Sequence, residues 1–215
     1  IPETSIRVVS PDVGGSFGIK IHTYGDEIAT LALSKILGRP VKFVADRLES
    51  FSSDIHARDH RVKAKMGLDA DGKIIAFEID DLTGIGPYSM YPRSSAIELN
   101  QVINLTGGPY VIPNYKAIGN VVFQNKNMMC QYRAVGHPIA ATVAEATVEL
   151  AAAKAGLDPV EFRRRNFIAD NAYPTNTPSG LPLDDLSHQA CLEKLLKLMD
   201  YDGKREDQAE LRSKG

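Results

Sequence analysis

Apolar residues recur with a helical spacing in five segments of the chain. Between Gly25 and Leu37 they fall three or four residues apart, and Gly38 supplies a stop signal. Asp158 followed by Pro159 is the favoured order of an N-cap and a first helical residue. The predicted helices are residues 25–37, 96–103 and 138–155, one that begins at 158, and residues 186–199.

Alternating or β-branched runs predict strands elsewhere. Residues 60–68 and 73–81 alternate around the turn at 69–72, where Asp-Gly supplies the left-handed position of a β-hairpin. Further strands are predicted at 5–9, 40–44 and 115–125, and the first two flank a helix in the order of a βαβ unit. Together these elements predict an α/β (α+β) fold in which helices pack on a mixed sheet.

Composition narrows the class of protein. The 215 residues are 43% hydrophobic and 24% charged, which is typical of a globular protein. The net charge of −2 does not favour nucleic acid as the main partner. No apolar run is long enough to cross a bilayer, and the first residues lack a signal-peptide pattern. Because the chain has no initiator Met, we expect it to be a fragment of a longer protein.

The two cysteines bear on the cellular compartment, and the composition of the C-terminal segment bears on the domain boundary. Cys130 and Cys191 stand alone without a Cys-x-x-Cys pattern, which argues against a zinc site or a disulfide scaffold and fits a reducing cytoplasm. Residues 200–215 are charged and contain few apolar residues. We therefore expect one partial domain at 1–199 and a frayed or disordered tail at 200–215.

The first candidate site is the glycine-rich turn Gly14–Gly18, which follows a predicted strand. Such a turn presents backbone N–H groups to an electronegative ligand and allows the ligand to approach closely. It lacks the glycine before Lys20 and the hydroxyl residue at Ile21 that a phosphate loop requires, and it also lacks the spacing of a dinucleotide fingerprint. From spacing alone it is either a ligand-binding turn or a tight structural turn.

The second candidate is Tyr132–Pro138, directly before the long predicted helix. Arg133 is placed where it can meet an anionic group, although this motif alone favours a surface arginine beside a helix start.

The three arginines at 163–165 splay around a helix, which favours a solvated face over an anion site. For His56, His60 and His137, structural roles are favoured over metal binding.

Taken in order, these stretches resemble the large subunits of the molybdenum hydroxylases, the family of xanthine dehydrogenases, aldehyde oxidases, nicotinate dehydrogenases and aerobic carbon monoxide dehydrogenases. The family's Gly-Gly-x-Phe-Gly-x-Lys turn matches Gly14–Lys20, and its aromatic-Arg-Gly-x-Gly-x-Pro segment matches Tyr132–Pro138, with Ala134 in place of a glycine. Its Gly-x-Asp-Pro-x-x-Arg-x-x-Asn stretch matches Gly156–Asn166 with small variations, and the segment Tyr110–Asn114 is also similar. The resemblance extends from about Ser5 to Tyr201.

The resemblance implies roles for both loops. Backbone amides of the Phe-Gly turn would lie beside the metal's apical oxo ligand and the pterin, and the arginine loop would border the molybdenum from the other side. No side chain of this chain would bind the metal directly. The implied cofactor-binding residues are Gly14, Gly15, Phe17, Gly18, Arg133 and Ala134.

Three implied substrate-pocket positions depart from the purine-oxidising members. Ile21 replaces a substrate-binding Glu, Val135 replaces a Phe that stacks on purines, and Gln101 replaces an anchoring Arg. The carbon monoxide branch has a copper-binding Cys where this chain has Ala134, and Cys130 lies too early in the loop for that role. The resemblance therefore implies hydroxylation, with water, of an aldehyde or a small non-purine heterocycle.

The rest of the family's machinery is implied to lie outside this chain. The catalytic base is a Glu in a glycine-rich segment far downstream, so no catalytic residue is expected here. The implied cofactor is molybdopterin in its cytosine dinucleotide form. The implied partners are the downstream half of the domain, iron–sulfur and FAD subunits or domains, and a small-molecule substrate. Two alternatives remain: a non-catalytic ligand-binding or assembly module of the same fold, and an unrelated phosphate-ligand-binding α/β domain.

Overall fold

Helices make up most of the regular structure, and the apolar spacing predicted five of the seven. In the computed structural model, which describes residues 1–215, five helices overlap the five predicted segments, whereas α2 and α7 were not predicted. The helices are α1 (Gly25–Leu37), α2 (Arg47–Ser53), α3 (Ile97–Leu105), α4 (His137–Ala155), α5 (Pro159–Asn166), α6 (His188–Leu198) and α7 (Tyr201–Ser213).

Three strands form the main sheet in the order β1 (His60–Leu68), β2 (Ile74–Gly84) and β3 (Tyr115–Val122). The predicted hairpin is confirmed, because β1 and β2 are neighbours joined by the Asp-Gly turn. In that turn Gly72 has φ 77° and the Asp69 carboxylate accepts the N–H of Lys73 at 2.8 Å. A second, two-stranded sheet pairs β4 (Thr175–Asn176) with β5 (Pro182–Leu183). A sheet with packed helices confirms the predicted α/β class.

The strands predicted at 5–9 and 40–44 are not formed, so the βαβ prediction is wrong. The first segment begins with a 3-10 turn at Glu3–Ser5, and neither segment joins a ladder. Val8 and Val44 are 88% and 71% exposed. A β-branched run favours an extended backbone, but a strand also needs a hydrogen-bonding neighbour, and this chain supplies none to these segments.

The chain is divided into two structural units. Unit 1 comprises Ile1–Asp59, Thr83–Glu98 and Val121–Val135. Unit 2 comprises His60–Leu82, Leu99–Asn120 and Gly136–Gly215. Sequence periodicity could not reveal this division, because each unit is assembled from segments that are far apart in the chain.

Unit 2 contains the larger core. α4 packs on the sheet through Val148 and Ala152, both 0% exposed, and α5 adds the fully buried Phe162. Asn166 at the end of α5 accepts the N–H of Ile74 at 2.8 Å through its side-chain carbonyl, which fixes the start of β2. The predicted packing of the long helix on the sheet is therefore confirmed.

The tail expected to fray is helical in the structure. α7 is joined to the start of α5, because the Tyr201 hydroxyl donates to the Asp158 carboxylate at 3.0 Å and Arg205 pairs with the same group at 3.3 Å. The charged composition of the tail did not reveal these tertiary contacts. No helix of the chain combines the length and the apolar character needed to cross a membrane.

Candidate functional site

The glycine-rich turn has an unusual backbone. Gly15, Phe17 and Gly18 have φ values of 138°, 54° and 97°, and Phe17 is a non-glycine residue in the left-handed region. Its ring is 53% exposed. A 3-10 turn at Ile19–Ile21 follows, and the hydroxyl of buried Tyr24 donates to the Ile19 carbonyl at 2.8 Å. The strained turn is therefore anchored from the core of unit 1, since strain of this kind persists only where the surroundings hold it.

The arginine loop is anchored by a different part of the same unit. His56 and Met129 form a parallel bridge, in which the Cys130 N–H donates to the His56 carbonyl at 2.9 Å. Four residues after Cys130 the backbone is left-handed, because Ala134 has φ 66°. The glycine that the family usually has at this position would adopt such a backbone without strain, so Ala134 keeps the conformation at some cost.

The two loops, which the resemblance implies to border the same cofactor, are in direct contact within unit 1. The Arg133 N–H donates to the Phe17 carbonyl at 2.8 Å, and the Arg133 guanidinium carbon lies 5.7 Å from the centroid of the Phe17 ring. A Cβ at Gly18 would lie only 3.1 Å from the Gln131 carbonyl oxygen. Glycine is thus required at position 18 by both the backbone angle and the close approach of the arginine loop.

Four backbone amides of these loops donate no hydrogen bond inside the protein. They belong to Phe17 and Gly18 on the turn and to Ala134 and Val135 on the arginine loop. Free amides next to an exposed arginine form a surface that favours electron-rich groups. Because amides do not titrate in the physiological range, they would donate to such a group without exchanging a proton with it.

Arg58 belongs to this site, although the sequence did not single it out. Its guanidinium donates to the Arg133 carbonyl and lies 5.5 Å from the centroid of the Tyr132 ring. The interaction joins residues 75 positions apart, and no local motif surrounds Arg58. Only the folded structure reveals it.

A cleft of about 570 Å³ opens beside the two loops in unit 1. The glycine turn contributes Ile19, and the arginine loop contributes Tyr132. The cleft combines apolar side chains with two guanidinium groups, and its walls include Ile19, Arg47, Phe51, Ile55, Arg58 and Tyr132.

The three predicted substrate-pocket residues are not all in one unit. Ile21 is 42% exposed and Val135 is half-buried, and both are in unit 1 directly next to the loops. Gln101 is a half-buried residue of α3 in unit 2. The structure thus places two of the three beside the candidate site.

Cys130 is buried in the core of unit 1. It is 1% exposed in the core cluster that it forms with Tyr24, Ile55 and Met90, and its thiol donates to the Arg93 carbonyl at 3.7 Å. Burial raises the pKa of this thiol, because a thiolate would be poorly solvated there. The structure therefore gives Cys130 a packing role, in keeping with the sequence argument against a metal ligand.

The triple-arginine stretch on α5 is not an anion site. Arg163 pairs with Glu145 and Glu149, Arg164 pairs with Glu193, and Arg165 pairs with Glu161. Each guanidinium thus has its own carboxylate within unit 2. The predicted solvated face is found for Arg164 and Arg165, whose side chains are 45% and 37% exposed, whereas the Arg163 side chain is 16% exposed.

The three histidines considered as metal ligands differ in their surroundings. A ring nitrogen of His56 lies 3.2 Å from the Phe51 carbonyl, and buried His60 pairs with Asp81 at 2.8 Å. His137 is exposed at the start of α4. No group of three or more His, Cys, Asp or Glu side chains is arranged to hold a metal ion.

Comparison with known proteins identifies the family. Residues 1–167 match the family described as "Molybdopterin cofactor-binding domain". The chain belongs to that family. The match includes both loops of the candidate site, and it shows that the alternative of an unrelated phosphate-binding domain is wrong.

Named relatives of this molybdopterin cofactor-binding domain are large subunits of molybdenum hydroxylases. The carbon monoxide dehydrogenase large chain of Hydrogenophaga pseudoflava is 31% identical over 99% of this chain and 27% of its own length. The nicotine 6-hydroxylase large subunit of Paenarthrobacter nicotinovorans is 31% identical over 96% of this chain and 26% of its own. Quinoline 2-oxidoreductase from Pseudomonas putida 86 superposes with a TM-score of 0.88 at 31% identity, covering 95% of this chain and 26% of its own. The chain therefore spans about a quarter of each relative.

Proposed function

We propose that the full-length protein hydroxylates an aldehyde or a small non-purine heterocycle with water, and that this chain supplies one wall of its cofactor site. The observation that carries the proposal is the contact of the glycine turn with the arginine loop, which gathers four free amides around Phe17 and Arg133. When bound, a molybdenum cofactor would supply the oxidising centre and accept two electrons from the substrate.

The residues of the two loops fit such a group. The amides of Phe17, Gly18, Ala134 and Val135 are fixed donors, and oriented donors hold an electron-rich centre without reorganising during the reaction. Arg133 would add a positive charge beside the cofactor. Gly14, where an added Cβ would meet no atom within 4 Å, leaves open space for the close approach of a ligand.

The choice of substrate rests on the residues beside these loops. Ile21 and Val135 are apolar, and neither offers a carboxylate to pair with a purine or an aromatic ring to stack on it. The third proposed pocket residue, Gln101, would offer an uncharged amide. Two relatives are named for nicotine and quinoline, which are non-purine heterocycles. A copper-dependent reaction is disfavoured, because Ala134 follows the loop arginine and the nearby Cys130 thiol is buried in the core.

The proposed partner inside the same polypeptide is the part of the domain that lies beyond this chain. The relatives are nearly four times longer, and unit 1 leaves the apolar side chains of Val8, Leu31 and Ile36 more than 70% exposed. Burying such a face against the downstream half of the domain would complete both the fold and the second wall of the site. That half would also supply the catalytic Glu and the contacts to the cofactor's cytosine dinucleotide.

Electrons would leave through iron–sulfur and FAD subunits or domains, because this chain has only two cysteines and cannot ligate a cluster that needs four.

We propose the cytoplasm as the compartment, in keeping with the two free thiols. The alternative is a non-catalytic module that keeps the fold and the loops but lacks a downstream base.

The deciding experiment measures molybdenum per polypeptide and substrate oxidation in the full-length protein and in the 215-residue chain. We expect stoichiometric metal and incorporation of water oxygen into a heterocycle or an aldehyde for the full-length protein, and neither for the isolated chain. Xanthine oxidation without aldehyde or heterocycle oxidation would contradict the substrate class. A metal-free full-length protein would favour the non-catalytic module.

A further inference from the structure

Arg58 is linked to the arginine loop through a single peptide group. Its guanidinium donates to the carbonyl oxygen of Arg133, while the N–H of Arg133 donates to the Phe17 carbonyl at 2.8 Å. The backbone of Arg133 is therefore held on both sides, by the glycine turn through its N–H and by Arg58 through its carbonyl.

Peptide geometry passes this restraint on to the next residue. The carbonyl of Arg133 and the N–H of Ala134 belong to one peptide group, which is trans in this structure, so they point in opposite directions. Fixing the carbonyl toward Arg58 turns the Ala134 N–H away from Arg58 and leaves it free to donate outward. Ala134 also has φ 66°, a conformation that a non-glycine residue keeps only when its neighbours enforce it.

Arg58 is itself well fixed. Its guanidinium carbon lies 5.5 Å from the Tyr132 ring centroid, and its own N–H donates to the buried Glu98 carboxylate at 3.4 Å. Its backbone is left-handed as well, with φ 67°. A planar guanidinium can donate to a carbonyl while lying against an aromatic ring, which the ammonium of lysine reproduces only in part.

We propose that Arg58 is a positioning residue that sets the direction of the Ala134 amide in the cofactor wall. The significance of that direction rests on the function proposed above, whereas the restraint itself is a property of this chain. In this arrangement the effect of Arg58 passes through the Arg133–Ala134 peptide.

The test compares Arg58→Met and Arg58→Lys in the full-length protein with Arg47→Met as the matched control. Arg47 lines the same cleft but donates no hydrogen bond to the loop. The first readout is amide hydrogen exchange at Arg133. A charge-assisted hydrogen bond stabilises by about 1.5–3 kcal/mol, so we expect exchange at least about tenfold faster in Arg58→Met, an intermediate rate in Arg58→Lys, and the unaltered rate in Arg47→Met.

The second readout is molybdenum content together with the electron paramagnetic resonance signal of the metal, which a purely structural defect elsewhere would not alter at constant loading. Unchanged exchange in Arg58→Met, or equal acceleration in Arg47→Met, would overturn the assignment. If Arg58→Met does not fold, the exchange rate of Arg58→Lys decides. Faster exchange with unaltered metal content and signal would keep the positioning role and remove the Ala134 amide from the proposed cofactor wall.

Discussion

The two units differ in whether their apolar side chains are buried. In unit 2 the apolar residues of β2, α4 and α5 meet one another, and Ile79, Val148 and Phe162 are 0% exposed. In unit 1 the apolar positions of α1 face outward, with Leu31 and Ile36 72% and 77% exposed. Periodicity thus predicts that an element forms, but it does not reveal whether the chain contains the surface that covers it.

Charged groups show the same contrast. On α5 of unit 2 every arginine is neutralised by a carboxylate, and these pairs serve the fold. In unit 1, Arg58 and Arg133 instead lie over aromatic rings beside strained loops, and the Arg133 guanidinium is exposed. Paired charges indicate structure, whereas an unpaired guanidinium next to free amides indicates a binding site.

The largest effect is expected in the core of unit 2. Phe162→Ala should lower the free energy of unfolding by about 3–5 kcal/mol, because the ring is fully buried and its removal leaves a cavity. The matched controls are Leu150→Ala in unit 2 and Leu31→Ala in unit 1, which remove side chains that are 66% and 72% exposed and should each change it by less than about 0.5 kcal/mol. Denaturant titration of the 215-residue chain measures all three. A cost for Leu31→Ala close to that of Phe162→Ala would break the comparison, since it would mean that α1 is covered in solution.

A smaller effect is expected where the two loops of unit 1 meet. Gly18→Val should destabilise the chain by about 1–3 kcal/mol, because residue 18 is left-handed and a Cβ there would press on the Gln131 carbonyl. It should also abolish metal binding by the full-length protein, by separating the loops. Gly25→Ala is the control, since its added methyl group meets no atom within 4 Å. Equal stability of Gly18→Val and Gly25→Ala would show that the loops do not need their close contact.

The sequence predicted the self-contained parts of the fold and missed those that depend on a distant partner. The hairpin at 60–81 and the helix at 138–155 were predicted correctly, because turn chemistry and apolar spacing act within a few residues. The strands predicted at 5–9 and 40–44 are not formed, because no other segment of the chain pairs with them. The division into two units depends on contacts between remote segments and could not be seen in the sequence.

The same distinction applies to the candidate site. Gly18 and Arg133 could be singled out because a resemblance to a known family covers both loops, and the structure then brought them into contact. Arg58 could not, because its partner is 75 residues away and no local pattern marks it. The cofactor role of Gly14, Gly15, Phe17, Gly18, Arg133 and Ala134 stays a prediction until metal binding is measured.

Alkaline pH offers a finer comparison of the two units. Burial raises the pKa of Tyr24 in unit 1 and of Tyr115 in unit 2 to about 12, from an ordinary value of about 10. The unfolded chain therefore loses these protons first, and the stability that the neutral phenols contribute is present below pH 10 and lost as the pH rises from about 10 to 12. Phenolate absorbance during a pH titration, with Tyr24→Phe and Tyr115→Phe to assign the two signals, measures it. Ionisation of Tyr24 at the ordinary value while Tyr115 stays protonated would show that unit 1 opens first.

The smallest effect is expected on the polar surface of unit 2. Arg164 and Glu193 form an ion pair at 2.6 Å between side chains that are 45% and 55% exposed, so water screens the attraction and holding both side chains costs conformational entropy. Arg164→Gln should therefore leave the denaturation midpoint within experimental error.

Arg163→Gln is the contrasting variant. The Arg163 side chain is 16% exposed, and its partner Glu145 also accepts a hydrogen bond from the Tyr110 hydroxyl. The substitution would therefore disrupt a partly buried network and lower the midpoint. High salt should reduce the small contribution of Arg164 further and affect Arg163 less. An equal shift of the midpoint for both substitutions would show that the exposed Arg164–Glu193 pair stabilises unit 2 as much as the partly buried network around Tyr110 does. Solvent exposure would then not explain the strength of these ion pairs.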